Sequence, residues 1–194
     1  MARLLSFILV LLVFGMHSAD ARRGVEPAFA TGAEDPVLYS TLMSLGPRVD
    51  PEEARRVAFT AYTTGRELKK EWRVVWPPGY QNYLVHTGRR KGGLCFQFAT
   101  ELLLRLDALK LKTLQLHWAE SFPGTMSEHN VIVVTVPGQP FNEGVLLDNW
   151  RYGGRLVWGK VTADPHYNWA ENSAEMIHRL RTRTIAAHGH ETTQ

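Results

Sequence analysis

Residues 95–109 constrain the fold more than any other stretch. Phe98, Leu102 and Leu106 share one helical face, and Ala99, Leu103 and Leu106 share the face beside it. A helix apolar over so wide an arc must be covered on most sides, so the run predicts a buried central helix. The second half of the chain can supply the cover. Residues 114–118, 129–136, 144–148 and 156–161 are short β-rich runs separated by Gly, Pro and Asn turns. Val131, Ile132, Val133 and Val134 are apolar without alternation, which predicts a strand covered on both faces. Helices followed by strands point to an α+β fold, with a small antiparallel sheet packed on the central helix.

Other segments read as follows. Asp50-Pro51-Glu52-Glu53 marks a helix start: Asp50 caps, Pro51 fits the first helical position, and Glu53 stands three residues after the cap. That helix runs to about residue 70, and Pro77-Pro78-Gly79 acts as a breaker after it. A final helix is expected over residues 170–185, with Met176, Ile177 and Leu180 on one side. The domain then spans residues 49–187, preceded by a loosely structured arm at 22–48 and followed by a frayed tail at 188–194. Residues 1–21 read as a secretory signal: Arg3, an apolar run from Leu4 to Phe14, then Ala19-Asp20-Ala21 as a cleavage site. That apolar run is shorter than the roughly 20 residues a bilayer span needs. The expectation is an exported protein, periplasmic or secreted, with no membrane span after cleavage.

The formal net charge of +3 comes from scattered residues, of which Arg89-Arg90-Lys91 is the tightest cluster. A nucleic-acid surface needs a broader basic stripe, so no nucleic-acid partner is expected. The cysteine count says more. There is one, Cys95, so no internal disulfide can form. A lone thiol in an oxidising compartment is a liability unless it is buried or chemically needed.

Cys95 follows Gly92-Gly93-Leu94 at the start of the central helix, where unpaired backbone N–H groups favour a thiolate and can hold an oxyanion. An ordinary thiol with a pKa near 8.5 needs about 2 kcal/mol to reach half ionisation at pH 7. A helix terminus gives about 0.3–1 kcal/mol. A partner imidazole is therefore required. Among eight histidines, His129 also has a well-placed carboxylate. If 131–136 and 144–148 form a hairpin about a turn centred near 138–139, His129 falls opposite Asp148, and a one-residue shift of the centre keeps them within reach. Three roles follow: Cys95 as nucleophile, His129 as base and acid, Asp148 as orienter. Gln81, Asn82 and His86 are the candidates for an oxyanion donor, with Asn82 preferred. Trp118, Trp150 and Trp158 could line a groove or fill the core. A cysteine on an apolar helix can equally be a core residue.

Gly93-Leu94-Cys95-Phe96-Gln97, Glu128-His129-Asn130-Val131 and Leu147-Asp148-Asn149-Trp150 together resemble the transglutaminase-like branch of papain-like thiol enzymes. The resemblance covers about residues 72–169 and implies a papain-like core with a Cys95, His129, Asp148 triad. It also implies peptidase or amidase chemistry on a protein or peptide substrate of the cell envelope, without a cofactor or metal. The domain is close to minimal for such a core. Three alternatives stay open: a cell-wall amidopeptidase of the Cys-His-His kind, an inactive module that binds a protein or cell-wall partner, and a metal site using Cys95, His129 and Asp148 or His166.

Overall fold

Asp50 opens the longest described helix as its sequence predicts: Oδ1 accepts from the backbone N–H of Glu52 at 2.7 Å and of Glu53 at 3.1 Å. Glu53 does not turn back to complete a capping box. It is buried, and its carboxylate accepts from the Lys112 and Thr113 N–H groups at 2.7 and 2.8 Å and from the Thr113 hydroxyl at 2.7 Å. The start of the helix is thereby tied to a loop some sixty residues on.

The computed structural model describes residues 36–191. Its helices are α1 (Pro36–Met43), α2 (Pro51–Glu71), α3 (Pro78–His86), α4 (Cys95–Asp107) and α5 (Ser173–Glu191). The strands are β1 (Gln115–Ser121), β2 (His129–Thr135), β3 (Val145–Asp148), β4 (Val157–Lys160) and β5 (Ala170–Glu171), in one antiparallel sheet of order β4-β3-β2-β1-β5. The fold is α+β, as expected. No described helix is long and apolar enough to cross a membrane. The expected signal segment, residues 1–21, lies outside the described residues.

The central helix is α4. Leu102, Leu103 and Leu106 pack with Trp118, Ile132, Val134, Val145 and Leu147 of the sheet on one side and with Val57, Ala58 and Ala61 of α2 on the other. The far face of the sheet carries a second cluster of Ala119, Val131, Val133, Leu146 and Val161, packed against Phe141 and Trp169. Every residue of β2 is therefore buried. Truncating a side chain such as Leu103, which is 0% exposed, would cost roughly 2–5 kcal/mol.

Four boundaries differ from the sequence reading. Residues 36–43 of the expected arm form α1, because Leu38 and Leu42, one turn apart, bury fully against α2. Pro77-Pro78-Gly79 starts a helix rather than leaving a loop: Pro78 takes the first helical position, where its missing N–H costs nothing. Residues 170–171 pair with Glu120 and Ala119 of β1 as β5, and α5 begins only after Asn172, whose side-chain oxygen accepts from the Glu175 N–H at 3.0 Å. Residues 188–191, expected to fray, continue α5.

Candidate active site

Cys95 is placed by the loop before it. Gly93 has φ +123°, and a Cβ there would lie 2.6 Å from the Gln81 side chain; a Cβ on Gly92 would lie 2.7 Å from the Trp72 ring. Both positions therefore need glycine. Gln81, fully buried, staples the loop: its Nε2 donates to the Gly92 carbonyl at 2.8 Å and its Oε1 accepts from the Val75 N–H at 3.0 Å. From the helix side, Gln97 Oε1 accepts from the N–H groups of Gly93 and Leu94 at 2.9 and 3.0 Å. Cys95 emerges as the first residue of α4, half-buried, with Sγ 3.5 Å from the Glu128 carbonyl oxygen and 3.8 Å from Asn130 Nδ2.

His129 begins β2, and its Nε2 lies 2.7 Å from Asp148 Oδ2, with both side chains 1% exposed. The partnership expected from hairpin counting exists, but its register is shifted. Ile132 pairs with Leu147 and Val134 with Val145, so Asp148 sits diagonal to His129 rather than opposite it. A short 3-10 turn at Phe141–Glu143 lengthens the connection and moves the centre of the hairpin. The diagonal remains within reach of two side chains of this length.

Asp148 is a carboxylate with its acceptor sites filled. Oδ1 accepts from the N–H groups of Trp150 and Arg151 at 2.8 and 3.1 Å, while Oδ2 accepts from Arg151 Nε at 3.0 Å as well as facing His129. Arg151 is fixed in turn by Asp164, 2.6 Å from its Nη2, and lies 4.9 Å above the Tyr167 ring. Asp164 also accepts from Trp169 Nε1 at 3.1 Å. The imidazole is walled by Trp150, Tyr167 and Trp169, with ring centroids at 4.7, 4.8 and 5.4 Å.

These contacts set the charges. Burial alone would raise the Asp148 carboxyl, but His129 and Arg151 outweigh it and hold it down at about 2. Burial would likewise lower His129, yet the charge and hydrogen bond of Asp148, with a smaller contribution from Cys95, raise it to about 9. His129 Nδ1 is buried and makes no hydrogen bond. Cys95 is the group other than Asp148 that acts on the ring. With Nε2 committed to Asp148, Nδ1 is the nitrogen left to exchange a proton with another group.

The other candidates fall elsewhere. Asn82 lies on α3 with its carboxamide oxygen buried and unpaired; among the described residues the side-chain amide that reaches the sulfur belongs to Asn130 instead. His86 ends α3, exposed, and His166 is exposed with its backbone N–H on Asp164. No group of three His, Cys, Asp or Glu among the described residues is arranged to hold a metal ion. Of the tryptophans, Trp118 is fully buried and donates to Asn130, Trp158 donates to the Tyr62 hydroxyl at 3.1 Å, and Trp150 walls the imidazole.

Sequence reasoning missed Asn130, Arg151, Asp164, Tyr167 and Trp169. Asn130 had a signal: it is the polar member of the 130, 132, 134 alternation that faces α4. Asp164 and Tyr167 had none, because loop closure brings them in. No protein-family model, curated protein or solved structure matches the chain.

Proposed function

We propose that this chain is an exported thiol enzyme that cleaves or transfers an amide-type acyl group through Cys95, His129 and Asp148. The reading takes its α+β fold as a minimal papain-like, transglutaminase-like core and its substrate as a protein or peptide of the cell envelope. One observation carries it: a fully buried imidazole has one nitrogen committed to a clamped carboxylate, the other uncommitted, and the chain's lone cysteine as its second ionisable neighbour.

The chemistry follows from those roles. The Cys95 thiolate attacks the carbonyl carbon, a C–S bond forms, and the π pair moves onto oxygen. Collapse breaks the C–N bond as the imidazolium of His129 protonates the departing amine. Water then attacks the thioester, gives its proton to His129, and expels the thiolate. An amine in place of water makes the reaction a transfer. Asp148 stays ionised throughout and holds the ring so that Nδ1 faces the sulfur.

The test is labelling of the full chain by a fluorescent iodoacetamide, with competition by peptide extracts of cell envelope. The expected result is labelling lost in Cys95→Ser, slowed at least about tenfold in His129→Ala, and suppressed by the competing substrate. Slow labelling that ignores His129→Ala would favour an inactive partner-binding module.

A further inference from the structure

We infer that Asn130, rather than any residue upstream of the cysteine, donates the side-chain hydrogen bond to the oxyanion formed at Cys95. The inference rests on the thiol-enzyme reading above and adds a residue to it.

The amide is fixed in one orientation. Trp118 Nε1, which can only donate, lies 3.1 Å from Asn130 Oδ1, so that atom must be the oxygen. The NH2 end is then directed at Glu128 Oε1, 3.1 Å away, and at Cys95 Sγ, 3.8 Å away. Its two hydrogens serve two directions, one of them the reacting sulfur. Asn130 is 4% exposed and Trp118 0%, so the donor is held in a low-dielectric setting where little reorganisation is needed.

Strand alternation places the donor on the correct side. Residues 130, 132 and 134 of β2 face α4, and Ile132 and Val134 pack with its leucines. His129 lies with the opposite face, against Trp169, which packs on the cluster that holds Val131 and Val133. The sulfur is therefore approached by the imidazole from one face and by the amide from the other. The start of α4 adds the Cys95 and Phe96 N–H groups, which precede the first N–H bonded to the Leu94 carbonyl, that of Gln97. An acyl carbon bonded to Sγ can then direct its oxygen toward the amide and helix start, and its leaving group toward the imidazole. At 3.8 Å the hydrogen bond to sulfur is a weak one, so the same N–H can serve an oxygen on the carbon bonded to Sγ. Gln81, the nearest rival by type, has both ends occupied by Val75 and Gly92.

Two reactions of Cys95 separate the roles. Alkylation by iodoacetamide reports the thiolate and passes through no oxyanion. Acetylation by p-nitrophenyl acetate forms a C–S bond, places the negative charge on the carbonyl oxygen, and expels p-nitrophenolate without needing a proton. Asn130→Ala is expected to slow acetylation about 10²–10³-fold while leaving the rate and pH profile of alkylation within about twofold. The unchanged alkylation also shows that the site has folded. Asn130→Ser, a smaller disturbance, is read in the same way, and Asn82→Ala should alter neither reaction. Equal loss in both reactions, or loss in neither, overturns the assignment, as does a selective loss on Asn82→Ala. Acetylation that survives Cys95→Ser would sink the thiol-enzyme reading itself.

Discussion

The sheet carries two histidine–carboxylate pairs of the same length, and they differ in everything else. His117, in the middle of β1, has Nδ1 2.7 Å from Glu171 Oε1 and Nε2 2.7 Å from Thr135 Oγ1. His129 has Nε2 2.7 Å from Asp148 Oδ2 and nothing on Nδ1. The Glu171 side chain is 36% exposed, whereas Asp148 is 1% exposed and held by three further donors. A short contact therefore does not define a reactive site. His117 spends both nitrogens tying β1 to β5 and β2, a structural use. His129 spends one, is dried by three aromatic rings, and keeps the other free of hydrogen bonds on a ring that Cys95 acts on.

Breaking each pair should expose the contrast, beginning where the effect is largest. Asp148→Asn removes the orienting charge and should cut acetylation of Cys95 by p-nitrophenyl acetate on the order of 10³–10⁴-fold. A loss under tenfold would mean that His129 needs no acid. The pH dependence of stability comes next. Asp148, at about 2, contributes stability that is present above its unfolded value of 3.8 and lost as pH falls through 2. His129, at about 9, contributes stability that is complete below 6.5 and lost as pH rises through 9. Together the pair predicts a plateau between about pH 4 and 6.5, with a decline on the alkaline arm worth about 3 kcal/mol. Melting temperatures measured across pH should show both arms in the wild type and in Glu171→Gln, and neither contribution in Asp148→Asn.

Smaller effects refine the picture. Arg151→Ala strips one donor from Asp148 and leaves Asp164 without its guanidinium, so stability should fall by about 2 kcal/mol and acetylation should slow. Arg151→Lys should restore only part of either, because one ammonium cannot replace a planar fork serving two carboxylates. Glu171→Gln should cost about 1 kcal/mol or less in a denaturant titration and leave acetylation unchanged. If Glu171→Gln proved as damaging as Asp148→Asn, the division between a structural and a reactive pair would fail.

Much of this was legible one residue type at a time. The wide apolar arc of residues 98–106 announced α4, and the unbroken apolar run 131–134 announced a strand buried on both faces. Gly92-Gly93 marked the entry to the helix that Cys95 begins, whereas the pressure of Trp72 and Gln81 on that loop emerged only in the structure. Counting across the hairpin found the His129–Asp148 pair although the register was two residues away. The count survived because side chains of this size bridge a diagonal. What was illegible lay in connections. Nothing in Pro77-Pro78-Gly79 distinguishes a breaker from a helix start until Gln81 and Leu84 are buried beneath it. Nothing near Asp164 announces that it will brace an arginine thirteen positions earlier.

The sequence by itself determined α2, α4, the four longer strands and the chemical inventory, because periodicity, glycine placement and residue type act over a few neighbouring positions. Only the tertiary structure decided which nitrogen of which histidine stays open, which amide faces the sulfur, and which carboxylate loses its water. Those outcomes depend on burial and on contacts between residues tens of positions apart. Such contacts arise when packing of α4 on the sheet brings distant strand ends to one helix tip.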